Sequence, residues 1–263
     1  MPSIYRRRIT SPSVIGGDGL ELSDGQHYDI TECIIDLSGW SLEDIDECCG
    51  ITMGSSAIFR RCWIRGAGKL LLCGTGDAQD VPAETGQHVE FFDCLLEDGG
   101  RRFPEVQDGM RVVLHDCLIR NWGAPDRFSV RNFGAWAHSG GGIDAVGCVF
   151  WQDEFWRPWG QFWQDLAAHV GQAWNDEGLR GLLRPTTYLP GVCRGLLATD
   201  GGEANAWHCW RNHWWIALPW RHTTALMDKT EALERMRELE DMAARLDAEL
   251  PVSPGNGDTL SSN

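Results

Sequence analysis

The chain lacks long apolar segments. None of its 263 residues belongs to an apolar run approaching the roughly 20 residues that a membrane-spanning helix needs, so no membrane partner is expected. The first eight residues include three arginines and are not followed by an apolar stretch, unlike a secretory signal. We therefore expect cytoplasmic synthesis without a signal peptide, with a virion or export by a non-classical route as further settings.

Positive charge is also scarce. The chain has 23 basic and 38 acidic residues, for a formal charge of −15. Proteins that bind nucleic acid usually gain most of their affinity from a basic surface, so this balance argues against a nucleic-acid partner. Ten cysteines in a chain of this length are too few for a disulfide scaffold, and they suit a reducing compartment.

The most informative feature present is an eight-residue phrase that occurs five times, each time with cysteine at its sixth position. The five cysteines are 29, 32, 23 and 31 residues apart. The phrases are Tyr28-Asp-Ile-Thr-Glu-Cys33-Ile-Ile35, Ala57-Ile-Phe-Arg-Arg-Cys62-Trp-Ile64, Val89-Glu-Phe-Phe-Asp-Cys94-Leu-Leu96, Val112-Val-Leu-His-Asp-Cys117-Leu-Ile119 and Ile143-Asp-Ala-Val-Gly-Cys148-Val-Phe150. Repeats of this length are typical of solenoids, whose units bury their apolar faces by stacking on one another.

Each phrase combines short apolar alternation with a bend, which is a strand pattern and is too short for a helix. Intervals of 23 to 32 residues leave room for two or three strands per coil. We therefore predict an all-β fold, a right-handed parallel β-helix. Equivalent positions of successive coils stack, so the five cysteines should form an inward ladder of small apolar side chains without disulfides between neighbours.

The composition changes after the fifth phrase. We expect β-helix coils over residues 1–150, a tryptophan-rich continuation or cap of the β-helix over 151–222, an amphipathic α-helix over 223–250 and a disordered tail over 251–263. The tryptophans of 151–222 would serve either as stacking platforms for sugar rings or as an apolar cap on the solenoid.

The expected helix has one apolar stripe. This stripe either packs along the solenoid, which we favour, or pairs with another chain as a short coiled coil. Its members are Leu226, Leu233, Met236, Leu239, Ala243, Leu246 and Leu250.

Six segments resemble, in order, motifs of the family 1 polysaccharide lyases, the pectate and pectin lyases. One of them is the cysteine phrase at Cys33, which stands where the family has Trp-Ile-Asp-His-Cys. The others are Asp18-Gly-Leu-Glu-Leu22, Asp46-Glu-Cys-Cys-Gly-Ile-Thr-Met-Gly-Ser55, Lys69-Leu-Leu-Leu-Cys-Gly-Thr-Gly-Asp77, Arg102-Phe-Pro-Glu-Val-Gln107 and the segment from Phe133 to Phe150. The resemblance covers residues 18–150 and implies a divergent, N-terminally short member of that superfamily.

The resemblance implies β-elimination on a polysaccharide that contains uronic acid. Arg102 would be the base and Lys69 the stabiliser of the developing charge. Asp18 and Asp46 would be surviving carboxylate ligands of calcium, and Glu32 is a third candidate ligand.

The sequence departs from the family where calcium would bind. Gly50 stands at the position of a third calcium carboxylate, and Glu105 and Gln107 replace two arginines. Calcium takes six to eight oxygen ligands, so we expect it to bind weakly or not at all.

Three functions stay open. The first is a lyase that acts on an acidic or esterified polysaccharide. The second is a non-catalytic β-helix subunit of a virion tail or filament, which forms homo-oligomers through an uncapped amino-terminal coil or the carboxy-terminal helix. The third is a carbohydrate-binding module.

Overall fold

The structure is a computed structural model that describes residues 1–40, 44–52, 54–66, 68–74, 88–100, 102–107, 109–122, 135–137, 142–152, 197–199, 206–210, 213–216 and 229–252. Short strands make up most of this described part, and one helix follows them. In chain order the elements are β1 (Ser3–Tyr5), β2 (Arg8–Ile9), β3 (Leu20–Leu22), β4 (His27–Thr31), β5 (Ile34–Asp36), β6 (Glu47–Ile51), β7 (Ser56–Arg60), β8 (Trp63–Arg65), β9 (Lys69–Cys73), β10 (His88–Phe92), β11 (Leu95–Gly99), β12 (Glu105–Val106), β13 (Arg111–His115), β14 (Leu118–Trp122), β15 (Ala135–Ala137), β16 (Gly142–Val146), β17 (Val149–Gln152), β18 (Leu197–Thr199), β19 (Ala206–Trp210), β20 (His213–Ile216) and α1 (Lys229–Glu249).

The strands form three parallel sheets, and consecutive strands of the chain belong to different sheets. The first sheet has the order β1-β4-β7-β10-β13-β16-β19, the second β2-β5-β8-β11-β14-β17-β20, and the third β18-β15-β12-β9-β6-β3. Every third strand therefore returns to the same sheet one coil further on. This arrangement confirms the predicted parallel β-helix.

Each cysteine phrase is the corner between the first and second sheets. Its first residues end a strand of the first sheet, and its last two begin a strand of the second. The residue before each cysteine has a positive φ, between 53° and 66° at Glu32, Arg61, Asp93, Asp116 and Gly147. One residue in this left-handed conformation turns the chain sharply from one sheet into the next.

The register between coils shows a further corner of the same kind. Ser3 aligns with Asp29 and Arg8 with Ile34, so Arg6 is equivalent to Glu32 and also has a positive φ, of 51°. Arg7 then takes the place of the cysteine. The repeat therefore begins one coil earlier than the cysteines indicate.

The five repeated cysteines form the predicted inward ladder. All are free thiols with no exposed surface, which confirms that stacked neighbours are not bridged. Each thiol contacts a backbone carbonyl of the preceding coil: Cys94 Sγ lies 3.6 Å from the carbonyl oxygen of Phe59, and Cys148 Sγ lies 3.4 Å from that of Leu114. Burial raises the pKa of the Cys148 thiol and keeps it protonated. We call these five residues the cysteine ladder.

The core between the sheets is filled by the inward residues of every coil. Phe59 and Phe91 stack there with ring centroids 4.6 Å apart. Three strands inside residues 151–222, namely β18, β19 and β20, add to the three sheets in register with β15, β16 and β17. The described part of this region thus continues the solenoid.

Helix α1 packs along the outer face of the second sheet, against β11, β14 and β17. Its buried face includes Met236, Leu239 and Leu246, which share a cluster with Leu95 and Leu118. The apolar stripe is therefore buried in cis, as favoured above. Leu226 of the apolar stripe and residues 253–263 of the expected disordered tail lie outside the described residues.

Ion pairs along the edge of α1 join the helix to early and middle coils of the solenoid. Arg6 pairs with Glu249 and Arg8 with Asp247, both near the end of the helix. Arg120 pairs with Glu240 as well as with the buried Glu97, to which the Trp63 indole also donates a hydrogen bond of 2.7 Å. No helix in the described part of the chain is long and apolar enough to cross a membrane.

Candidate functional site

Four of the five predicted site residues meet on the third sheet. Asp18 precedes β3, Asp46 precedes β6, Lys69 begins β9 and Arg102 precedes β12. Because parallel strands of one sheet start at the same edge, residues at these four starts lie side by side although 84 positions separate the first from the last. Register places residue 47 directly opposite residue 69.

Two further carboxyls complete the group. Glu47 and Glu105 begin β6 and β12 and are only 2% and 4% exposed. We call the six residues the charged patch: Asp18, Asp46, Glu47, Lys69, Arg102 and Glu105.

Arg102 lies over the two buried glutamates. Its guanidinium forms an ion pair with Glu47, and its Nε is 2.7 Å from Glu105 Oε2. The Arg102 side chain is itself 16% exposed. Arg102 is thus paired with both buried glutamates of the charged patch.

Lys69 lies between two acidic side chains. Its Nζ contacts Asp46 Oδ1 and is 3.6 Å from Glu47 Oε1. Asp46 is half-exposed, so this end of the charged patch faces solvent while Glu47 forms its floor. The lysine therefore brings one positive charge into the centre of the acidic group.

Asp18 and Glu47 interact directly. Asp18 Oδ1 accepts a hydrogen bond of 2.9 Å from the Glu47 backbone N–H, and the two side chains have carboxylate oxygens within 4.8 Å of each other. Burial, opposed by Arg102, raises the pKa of Glu47 to about 8, and burial also raises that of Asp18. Two adjacent carboxyls cannot both ionise cheaply, so this pair shares a proton near neutral pH.

The placement of the Asp18 side chain leaves room only for glycine at position 50. A Cβ built on Gly50 would lie 2.0 Å from Asp18 Oδ2. A carboxylate at position 50, where the lyase family has one, could not coexist with this placement of Asp18. Glu47, three residues earlier on the same strand, supplies a third carboxyl instead.

Glu32 is not part of the charged patch. It lies at the corner between the first and second sheets, where its carboxylate is 3.3 Å from Arg6 and 3.7 Å from Arg61. Its backbone has the positive φ of that corner. The structure therefore places this candidate ligand away from Asp18 and Asp46, which belong to the third sheet.

The charged patch fits calcium poorly. Asp18, Asp46 and Glu47 each have a carboxylate oxygen within 4.8 Å of the others, which is a possible metal-ligand spacing. Calcium needs six to eight oxygens, however, and Lys69 and Arg102 already contact two of these three carboxyls. A bound ion would have to displace the lysine ammonium and the proton shared by Asp18 and Glu47.

Glu47 had a weak signal in the sequence. It stands where the family's corresponding motif has glycine, directly after the candidate Asp46. The Glu47 side chain lies under Arg102 because of the register between coils, and the residue pattern alone does not specify that register.

No protein-family model matches the chain, and no curated protein matches it.

Proposed function

We propose that the protein is a lyase-like β-helix that catalyses β-elimination on an esterified polysaccharide of uronic acid. The observation that carries this proposal is the convergence of Lys69 and Arg102 on one patch of the third sheet. The resemblance assigned these two residues their roles from separate motifs, 33 positions apart. Neutral, esterified substrate is favoured because the charged patch contains four carboxyls and only two cations, which would repel a chain of free carboxylates.

In this reaction Arg102 takes the proton from the sugar carbon beside the ester carbonyl. The electron pair left behind forms a double bond in the ring as the bond to the glycosidic oxygen breaks, and that oxygen receives a proton from solvent water. Lys69 stabilises the negative charge that builds up on the carbonyl side.

The base must first lose its own proton, which its ion pairs oppose. Glu47 is the acceptor in contact with the Arg102 guanidinium, and it can take this proton only when it is ionised, with the proton that it shares with Asp18 lying on Asp18. Proton transfer from Arg102 to Glu47 would leave a neutral guanidine over a neutral acid. This step makes the enzyme reaction demanding, because arginine is normally charged in proteins.

The test is incubation of the protein with methyl-esterified and with free polygalacturonate, followed by ultraviolet absorbance of the unsaturated product. We expect product from the esterified polymer and at least tenfold less from the free one. Arg102→Lys should abolish product formation, since lysine retains the charge but cannot reproduce the two-sided pairing.

Arg111→Lys is the matched control. Arg111 is a half-exposed arginine that pairs with Asp144 on the first sheet, and its replacement should leave the rate unchanged. Absence of product from both polymers with folded wild-type protein would refute the lyase proposal.

A second candidate is a non-catalytic β-helix subunit of a larger assembly, such as a virion tail or filament. The ion pairs favour it, because Lys69 and Arg102 are both engaged with carboxylates and connect β6, β9 and β12 as a structural network would. Among the described strands, β1, β2 and β3 each have a neighbour on one side only. Exposed strand edges can pair with another chain.

Light scattering of the purified protein distinguishes this candidate. An oligomer that dissociates when proline replaces Ile4, the middle residue of β1, would support it. A monomer at high concentration would count against it. The apolar face of α1 is an unsuitable contact for an oligomer, because it is buried against the second sheet.

A further inference from the structure

The central position of the charged patch is occupied by an ammonium group. Lys69 Nζ contacts Asp46 and lies 3.6 Å from Glu47, and both carboxyls belong to the trio with metal-ligand spacing. The ammonium therefore lies where a cation shared by these acids would lie. The ammonium is covalently attached to the chain, whereas a metal ion would have to bind from solution.

From this geometry we infer that Lys69 is a permanent substitute for a divalent cation, and that its side chain is what makes the charged patch independent of calcium. The inference concerns cation binding alone and does not rest on the proposed reaction. It predicts a latent metal site that a single substitution exposes.

The charge balance supports the inference. With Lys69 present, its ammonium neutralises Asp46, and the Arg102 guanidinium neutralises one of the two buried glutamates. Without the ammonium, Asp46 would face the Asp18–Glu47 pair with no cation of its own, and the Arg102 guanidinium on Glu47 would be the one cation left in the charged patch. Three oxygens of this kind within 4.8 Å attract a hard divalent ion such as calcium, with water completing its coordination.

The position of Lys69 is also constrained by the backbone. It is the first residue of β9, paired with Glu47 of β6, so its Cα is held opposite the buried acid. Arg102 approaches the same acid from the other side, through the following coil. The ammonium is therefore positioned by the sheet and is not a freely moving surface charge.

The experiment is calorimetric titration of metal-free protein with calcium chloride, without any polysaccharide. Wild-type protein should show no saturable heat up to about 10 mM. Lys69→Met, which retains most of the apolar stem, should bind one calcium ion with a Kd of about 0.1–1 mM, the range of the weaker natural calcium modules. Its melting temperature should then rise with added calcium.

Two controls test whether the site is the one described. Lys229→Met removes the other lysine of the sequence, at the start of α1, and should behave as wild type. Adding Asp46→Asn to Lys69→Met should weaken calcium binding at least tenfold, because one ligand charge is lost.

Saturable calcium binding by the wild type, abolished by Asp46→Asn, would overturn the inference. So would a Lys69→Met variant that folds, as judged by circular dichroism, yet binds calcium no better than the wild type. If that variant does not fold, Lys69→Gln, which removes the charge and keeps a polar side chain, takes its place in the same titration. A failed lyase assay would leave these results unaffected.

Discussion

The cysteine ladder and the charged patch are both built from strand ends of successive coils, yet they differ in composition. The ladder repeats one small residue at five equivalent positions, all with no exposed surface. The charged patch places different residues, acidic and basic, at the starts of neighbouring strands, and its exposure ranges from 2% at Glu47 to 48% at Asp46. The same residue at every coil allows the coils of the ladder to stack uniformly. Different residues at the equivalent positions of the charged patch give each coil a different charge there.

The difference extends to energetics. A neutral thiol loses little when it leaves water, and its contact with a carbonyl of the preceding coil satisfies a weak donor. A buried carboxyl loses much more, and only its cation or a proton offsets the loss. Substitutions should therefore have larger and more pH-dependent effects in the charged patch than in the ladder.

The largest effect is expected at Arg102. Arg102→Ala removes the cation from two buried glutamates, and breaking a buried pair in this way typically destabilises a protein by about 3–5 kcal/mol. Urea unfolding measures the loss. Arg111→Ala, at a half-exposed pair, should cost below about 1 kcal/mol. Equal losses for the two variants would mean that the charged patch is no more tightly organised than the surface.

The next effect concerns pH. Burial raises the pKa of Glu47 from its ordinary 4.5 to about 8, so between these values the folded chain holds a proton that the unfolded chain has released. Wild-type stability should therefore fall as pH rises from about 5 to 8, by at most about 1.4 kcal/mol per pH unit, and should level off above that. Glu47→Gln has no proton to lose there and should show a flatter profile.

Thermal unfolding from pH 5 to pH 9 measures this difference. Glu90→Gln is the matched control, since Glu90 is a partly exposed acid of the first sheet paired with His88. If the wild type and Glu47→Gln keep a constant difference across the whole pH range, Glu47 does not hold the proton.

A smaller effect is expected in the ladder. Cys94→Ala removes one buried sulfur atom and should cost about 1 kcal/mol, as for the loss of a buried methylene-sized group. Cys94→Ser places a hydroxyl in the same apolar column and should cost about 1–3 kcal/mol. Chemical denaturation of both variants gives the order. A serine variant more stable than the alanine variant would show that hydrogen bonding to the carbonyls of Phe59 and Phe92 outweighs apolar packing.

The smallest effect is expected at the rim of the charged patch. Asp46→Asn removes a half-exposed partner of Lys69, and such exposed pairs contribute about 0–1 kcal/mol. Its unfolding midpoint should stay close to that of the wild type. A loss as large as that of Arg102→Ala would show that the rim and the buried floor act as one cooperative unit.

Much of the fold could be predicted from the cysteine phrase. Its spacing indicated a solenoid, and its internal bend corresponds to the positive φ found before every cysteine of the ladder. The coils were expected from residue 1 onward, but the corner at Arg6 was not identified, because Arg7 replaces the cysteine there and the phrase is recognisable only from the register of its strands. The cis packing of α1 was only a preference, since an apolar stripe does not specify which surface covers it.

The candidate site could be predicted in part. Lys69, Arg102, Asp18 and Asp46 were chosen from separate motifs, and the third sheet brings them together. Glu32 was chosen from the same kind of match but belongs to another corner. Glu47 was not chosen, because its importance comes from burial beneath Arg102 and not from any local pattern.

The sequence by itself determined the solenoid, because a small buried residue at a fixed place in each repeat can be satisfied only by stacking. It also determined which residues carry charge. Only the tertiary structure decided how those charges meet: the register of β6 against β9 sets Lys69 opposite Glu47, and Arg102 reaches the same acid from the next coil. Whether an acidic group binds a metal or a lysine depends on distances of a few ångströms between coils, and those distances follow from packing across the whole stack.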